Sequence, residues 1–244
     1  MKIIKTMKKL LKFNAIVLFS TTILFMSCSD SNSESETVEE DLSEVVMQDF
    51  ATTINDIQLP AGLAQSSDPY ASQVSFQMQL FKGFTAAFAN LFTVPENALA
   101  AKKGSKTLSK STTTQTYTWS SEGITFNYKI TEESDRYAFA YDIVSQTYTG
   151  SYLNGYQLKD GSVAEINFLN NGEDYLKLKW TNLDDVAKME MNVNGSKLLI
   201  ESNLNNNSGS MKVYEEGVLT SSFVWNEDGS GSYTDHIENQ TFAF

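Results

Sequence analysis

The sequence is poor in the residues that build metal centres and disulfide frameworks. It contains 244 residues, of which one is a cysteine, Cys28, and one is a histidine, His236. One cysteine cannot form an intramolecular disulfide, and one residue of each type cannot supply a thiolate cluster or a multi-histidine metal site. The composition therefore predicts no metal centre, and no motif points to a cofactor or to a catalytic residue.

Positive charge is scarce as well. The chain has 18 basic residues against 30 acidic ones, a formal net charge of -12, and Arg136 is its single arginine. Proteins bind nucleic acid largely through lysine and arginine side chains that neutralise the phosphates. We therefore do not expect a nucleic-acid partner.

The N-terminal segment has the pattern of a secretory signal. Several lysines precede an apolar run from Ala15 to Met26, and Ser27 and Cys28 follow it. The run is shorter than the roughly 20 residues with which a helix spans a bilayer. A charged segment, a short apolar segment and a small residue at the cleavage site predict a signal peptide over residues 1–27.

The end of this signal resembles the lipobox of bacterial lipoproteins, in which cysteine is the first mature residue. Phe25-Met26-Ser27-Cys28 matches the lipobox at Ser27 and Cys28 and differs from it at Phe25 and Met26. The resemblance implies that Cys28 carries a diacylglycerol thioether and an N-linked acyl chain such as palmitate, which together form a durable membrane anchor. The alternative is an ordinary thiol beside an ordinary signal cleavage site.

A polar segment follows the cysteine. Residues 29–36 are only serine, asparagine and acids, so we expect residues 28–37 to form a disordered, solvated tether. The segment resembles the acidic export tethers of surface lipoproteins of the Bacteroidota, although a plain spacer would have the same composition. The expected location is beyond the inner membrane, anchored to the outer membrane by lipid, on either the periplasmic or the cell-surface side.

Helical spacing begins at Val38. Apolar residues recur at intervals of three and four up to Ile57, and a second run, from Tyr70 to Phe92, follows Asp68-Pro69. An aspartate at the N-cap and a proline at the first helical position are typical of a helix start. The sequence thus predicts two amphipathic helices within a helical part at residues 38–100.

Residues 114–244 have the pattern of antiparallel strands joined by tight turns. No interval is long enough for a crossover helix, so the pattern predicts a meander of about 10–12 strands. The turns are predicted at Glu122-Gly123, Ser134-Asp135, Asn154-Gly155, Asp160-Gly161, Asn171-Gly172, Asp184-Asp185, Asn194-Gly195, Asn205 to Asn207, Glu216-Gly217 and Asp228-Gly229.

Apolar and polar residues alternate within these strands, so one face of the sheet is expected to be buried. A single sheet of this width must curl, and its apolar face needs a cover, for which the two helices are the candidates. The expected fold is therefore α+β: one domain, residues 38–244, in which two helices pack on a curled meander that forms a half-barrel or a barrel.

This order of elements is similar to the periplasmic lipoprotein-carrier fold, a half-barrel whose helices cover an apolar cavity. The resemblance implies a hydrophobic or lipid ligand held between sheet and helices; a solidly packed core is the alternative. The cavity would be lined by Tyr117, Trp119, Phe126, Tyr128, Phe139 and Tyr141, with Phe84 and Phe88 on the helical cover.

Other functions stay open. A structural or adhesive surface lipoprotein would instead present the outer face of the sheet to a protein or a glycan. Residues 240–244, with their alternating aromatics, resemble the closing strand of outer-membrane β-barrels, which makes a small barrel a further alternative. Paired carboxylates such as Glu173-Asp174 fall at predicted turns, where general acid catalysis is rarely found, so we expect a protein that binds instead of an enzyme.

Overall fold

The computed structural model describes residues 42–45, 57–92, 94–95, 98–100 and 113–244. The chain divides into two units, Met1–Val38 and Glu39–Phe244, and every described residue belongs to the second. The predicted signal peptide, the tether and the lipid-attachment residue Cys28 lie outside the described residues.

Within the described residues, three helices precede the sheet: α1 at Leu42–Val45, α2 at Ala61–Ala64 and α3 at Pro69–Leu91. The predicted start of α3 is confirmed, because Asp68 Oδ1 accepts hydrogen bonds from the backbone N–H groups of Tyr70 and Ala71, at 2.8 and 3.2 Å. This satisfies two backbone donors that the first turn of a helix leaves free. Most of the first predicted helix lies outside the described residues, and α2 occupies the segment where the sequence predicted only a break.

The rest of the described chain is one antiparallel sheet. Its first strand, β1, has only two residues and was not predicted, whereas the other twelve confirm the predicted meander. The strands are β1 Leu99–Ala100, β2 Thr113–Ser121, β3 Ile124–Glu132, β4 Arg136–Val144, β5 Thr149–Leu158, β6 Val163–Asn170, β7 Glu173–Leu183, β8 Val186–Val193, β9 Ser196–Asn203, β10 Gly209–Glu215, β11 Val218–Trp225, β12 Gly231–Asp235 and β13 Gln240–Ala243.

Each strand pairs with the next along the chain, so the strand order runs from β1 to β13 without a crossover. Two-residue turns produce several of these hairpins. In Asn171-Gly172 and Asn194-Gly195 both residues have positive φ, between 47° and 84°. Such turns match the right-handed twist of the strands that they connect, and they favour asparagine followed by glycine.

One predicted turn is wrong. Asn154-Gly155 lies inside β5, and the chain turns instead at Gln146-Thr147. Gly155 has a packing role: a Cβ atom there would lie 2.6 Å from Cε2 of the Phe139 ring and would also collide with the carbonyl oxygen of Glu165. The glycine is thus needed for close approach between strands, which the sequence pattern does not separate from a turn.

The two faces of the sheet differ in chemistry. The face that we call the apolar face carries buried side chains from the inner strands, among them Tyr128, Tyr141, Leu153, Ile166, Leu178, Trp180, Met189, Ile200, Met211 and Phe223. The opposite face, which we call the polar face, carries cross-strand ion pairs: Glu165 with Lys177 at 2.6 Å and Lys188 with Glu201 at 2.8 Å. The sheet therefore has one buried side, as the alternation predicted.

Helix α3 contacts the apolar face at both of its ends. The Tyr70 ring stacks on the Tyr233 ring of β12, and Phe92, just after the helix, meets the Phe139 ring of β4 at 4.9 Å. The chain from Tyr70 to Phe92 is about 33 Å long if helical throughout, and eight strand spacings from β12 to β4 amount to roughly 38 Å. The helix thus spans most of the width of the sheet.

Candidate functional site

The six aromatic residues predicted to line a cavity lie together on the apolar face of β2, β3 and β4. The Tyr128 and Tyr141 rings stack at 4.3 Å, and the Trp119 ring lies 5.4 Å from Phe126 and 5.8 Å from Tyr141. Strand pairing brings them together, because Tyr117 faces Tyr128, which in turn faces Tyr141. We call these six residues, which include Phe139, the aromatic cluster.

Phe92 closes the aromatic cluster from the helix side. Its ring makes edge contacts with Tyr128, Phe139 and Tyr141 at centroid distances of 6.1, 4.9 and 6.3 Å. Phe92 and Tyr128 are completely buried. The centre of the cluster is therefore packed ring against ring, while Trp119 and Phe126 at its border are half-buried.

Phe92 was on the predicted apolar stripe of the second helix but was not among the residues chosen for the helical cover. Those were Phe84 and Phe88, whose backbones belong to α3 and whose side chains lie outside the described part of the chain. The stripe identifies the buried side of a helix. Which of its members meets which strand depends on the tilt of the helix, so nothing in the sequence singled out Phe92.

Two buried tryptophans on the apolar face differ in their hydrogen bonding. Trp225 Nε1 donates to the carbonyl oxygen of Asn207 at 2.9 Å. Trp180, on β7, is equally buried, yet Nε1 finds no acceptor among the described residues. A buried N–H usually has a partner, and leaving it without one costs about 1–3 kcal/mol. Trp180 is thus an unsatisfied donor in the middle of the sheet.

Burial also affects the tyrosines of this face. Removal from water raises the pKa of Tyr141 well above its ordinary value, because the phenolate is poorly solvated inside the cluster. Burial likewise raises the pKa of Tyr233 to about 12, with additional contributions from Asp235 and Tyr70. Both side chains are therefore neutral at physiological pH and act as apolar groups with a hydroxyl.

A pocket of about 580 Å³ opens at one end of strands β7 to β10. On the polar face its lining includes Tyr175, Lys177, Asn192, Lys197 and Tyr214, and the turns at Asn194-Gly195 and Gly217 close its end. This site was not predicted from the sequence, because its residues come from four strands and no short motif unites them.

The carboxylate pairs weighed as catalytic candidates lie at the turns, as predicted. Glu173 and Asp174 are exposed. The hydroxyl and the backbone N–H of Ser230 both donate to Asp228 and lower its pKa. A general acid at neutral pH needs a raised pKa. These hydrogen bonds stabilise turns and do not prepare a carboxyl for catalysis.

The single histidine has a serine neighbour that the sequence did not reveal. Nε2 of His236, which follows β12, lies 2.9 Å from Oγ of Ser222 on β11. Both side chains lie at the exposed surface, whereas a serine nucleophile works in a site that excludes water. The contact is a surface hydrogen bond between neighbouring strands.

Within the described residues, no group of three or more histidine, cysteine or acidic side chains is arranged to hold a metal ion. None of the helices in the described ranges has the length and apolar character needed to cross a membrane.

Comparison with known proteins does not assign the chain to a family. No protein-family model matches it, and no curated protein matches it.

Proposed function

We propose that this chain is an exported bacterial lipoprotein, anchored to the outer membrane through lipidated Cys28, whose globular domain binds a ligand without converting it. The N-terminal pattern supports the anchor: a lysine-rich start, a short apolar run, and the only cysteine at its end. The carboxylates of the sheet support a binding role, because those whose pKa departs from the ordinary value are shifted downwards.

The proposed ligand is hydrophobic and binds between the apolar face and the helical cover. The observation that carries this proposal is the aromatic cluster closed by Phe92. Tyr70 and Phe92 hold the two ends of the α3 segment against the sheet. The buried side chains between them include Val74, Met78 and Phe81, and the flexible thioether of Met78 adapts to different occupants. In this closed arrangement the rings fill the space, so binding requires the Phe92 end to separate from the sheet.

Trp180 supports a more definite ligand chemistry. Its buried N–H would gain an acceptor if an ester or carboxyl oxygen entered between helix and sheet. An acyl ester offers both the apolar chain that the face accepts and the oxygen that the indole lacks. The proposed ligand class is therefore acyl lipid.

Lipid analysis tests this ligand. A soluble chain that begins at Ser29, and so lacks the lipid anchor, is purified without detergent and extracted with organic solvent, and the extract is examined by mass spectrometry. We expect co-purified acyl lipid, and a smaller amount with Trp180→Phe, which keeps most of the ring and loses the N–H. Trp225→Phe is the matched control, because its N–H already has an acceptor. If the extract contains no lipid, the proposal is wrong.

Metabolic labelling tests the anchor. We expect radioactive palmitate to label the full chain. The Cys28→Ser variant should take up no label and should be absent from the outer-membrane fraction. Protease treatment of intact cells then separates the two sides of the membrane, because a periplasmic domain survives and a surface domain is degraded.

A second candidate is an adhesive surface lipoprotein whose polar face contacts a protein or a glycan. The pocket at the end of β7 to β10 favours it, because this is a concave polar site on the side away from α3.

A further inference from the structure

The pocket on the polar face is built around two tyrosines. Tyr175 of β7 and Tyr214 of β10 lie three strands apart, roughly 14 Å at the usual strand spacing. Between them the floor is formed by Asn192 of β8 and Lys197 of β9, which face each other in the register of the sheet. The result is a shallow trough with an aromatic ring on either side and hydrogen-bonding groups in the middle.

Two β-bulges adjoin these tyrosines. The pairing of β6 with β7 shifts where Leu169 faces Asp174 and Phe168 faces Leu176, so that Tyr175 is the extra residue. The pairing of β10 with β11 shifts between Val213 and Tyr214. A bulge turns a side chain away from the direction that regular pleating gives it, and bulges are enriched beside functional sites. The first bulge lies at Tyr175 itself, whereas the extra residue of the second is Thr220 of β11, next to the partner of Tyr214; both tyrosines line the pocket.

The side chain of Tyr175 is half-buried and makes none of the ring contacts or side-chain hydrogen bonds found among the described residues. Tyr214 differs, because Lys197 Nζ lies over its ring at 5.7 Å. The apolar surface of the Tyr175 ring is thus free to contact a ligand, whereas the Tyr214 ring is already partly covered by Lys197.

The lysines of the pocket are paired within the sheet. Lys177 Nζ lies 2.6 Å from Glu165, and Lys197 Nζ lies 2.6 Å from Glu190. Partial burial raises the pKa of Glu190, but hydrogen bonds from Lys197 and Asn192 outweigh this effect and hold the pKa below its ordinary value. Because both lysines have an acidic partner and Asp174 adds a further acidic side chain to the lining, the pocket offers no surplus positive charge to an anion.

We propose that this pocket binds a neutral oligosaccharide, with a sugar ring stacked on Tyr175. The C–H face of a sugar suits an aromatic ring, while its hydroxyls need donors and acceptors that lie side by side. Asn192 supplies an acceptor, since its Nδ2 already donates to Glu190 at 2.9 Å and its Oδ1 is left for the ligand. The lysine and glutamate of each ion pair present further N–H groups and oxygens, and the lack of surplus positive charge favours a neutral glycan over a sulfated or phosphorylated one.

This site is separate from the proposed lipid site, so either one can fail without the other. The test uses the mature chain and saturation-transfer NMR with three neutral probes, maltotriose, mannotriose and chitotriose, and with a heparin-derived oligosaccharide as the anionic probe. We expect at least one neutral probe to bind and the anionic probe not to bind.

Variants of Tyr175 test whether the neutral probe binds in this pocket. We expect Tyr175→Ala to weaken the affinity for the bound neutral probe about tenfold, and Tyr175→Phe to retain it, because stacking needs the ring and not the hydroxyl. Tyr156→Ala is the matched control, since Tyr156 lies on the polar face of β5 outside the pocket. The proposal is overturned if none of the neutral probes binds, if only the heparin oligosaccharide binds, or if Tyr175→Ala and Tyr156→Ala behave alike.

Discussion

The rings of Tyr70 and Tyr233 lie parallel, 4.5 Å apart at 14°, and thereby join the first turn of α3 to the next-to-last strand of the sheet. Phe242 of β13 extends the stack, with its ring 5.3 Å from that of Tyr70. One aromatic side chain of the helix thus holds both strands at this end of the apolar face. The other end of the helical segment is held by Phe92, so ring contacts fix the cover at both of its ends.

The first prediction concerns Tyr70. Replacing it with alanine removes two stacked contacts and some buried area, and we expect the free energy of unfolding to fall by about 1–3 kcal/mol. Tyr70→Phe keeps the ring and should cost less than 1 kcal/mol. Urea unfolding followed by circular dichroism measures both. Equal losses for the two variants would contradict a role for the stacked ring.

The second prediction concerns Phe92. Its ring is fully buried, so Phe92→Ala should lower the free energy of unfolding by about 3–5 kcal/mol and weaken the near-ultraviolet dichroism of the aromatic cluster. Phe76→Ala on α3 is the control, because 47% of that side chain is exposed. We expect its effect to stay within about 0.5 kcal/mol. The interpretation fails if both phenylalanines prove equally important.

The third prediction compares two glycines. Gly155→Ala forces a methyl group against the Phe139 ring and the Glu165 carbonyl, so we expect a loss of about 1–3 kcal/mol in unfolding free energy. Gly83 lies inside α3 with open space around the position of a Cβ atom, so Gly83→Ala should stabilise the fold by about 0.5–1 kcal/mol. The same unfolding experiment measures both, and effects of the same sign would contradict this account of Gly155.

The fourth prediction concerns alkaline pH. The pKa of Tyr233 is about 12 in the folded chain, chiefly because of burial, against about 10 when unfolded. Since the folded state favours the neutral phenol, the contribution of Tyr233 to stability is complete below about pH 10 and falls as the pH rises towards 12. Tyr233→Phe, which cannot ionise, should lose less stability between pH 9 and 11.5 than the parent chain. An identical pH dependence of the two chains would refute the assignment.

The sequence predicted the parts of the fold that depend on neighbouring residues along the chain. Asp68-Pro69 starts a helix because capping and the fixed φ of proline act within one turn. Asn171-Gly172 makes a hairpin because both residues accept positive φ. These are local preferences, so they can be read from a few residues.

Local patterns misled where packing between strands decided the structure. Asn154-Gly155 has the composition of a turn, but Gly155 is required under the Phe139 ring. The turn that replaces it has neither asparagine nor glycine at its centre. There, Ser145 Oγ accepts hydrogen bonds from the backbone N–H groups of Thr147 and Tyr148, a serine-based turn that the sequence indicates only weakly.

The two candidate sites also differ in whether the sequence could predict them. Alternation was enough to place Tyr128 and Tyr141 on one face, and strand pairing brought them into contact. The pocket beside Tyr175 was not predictable, because its lining comes from four strands and because the bulge at Tyr175 is a feature of the pairing between β6 and β7 that leaves no pattern in either strand alone.

The central claim is that the apolar face holds an acyl lipid beneath its helical cover, and lipid mass spectrometry of the soluble chain from Ser29 onwards, prepared without detergent, tests it most directly. The claim predicts acyl lipid in the extract of the parent chain and of Trp225→Phe, and clearly less in that of Trp180→Phe. An extract without lipid, or equal amounts of lipid from both tryptophan variants, would contradict it.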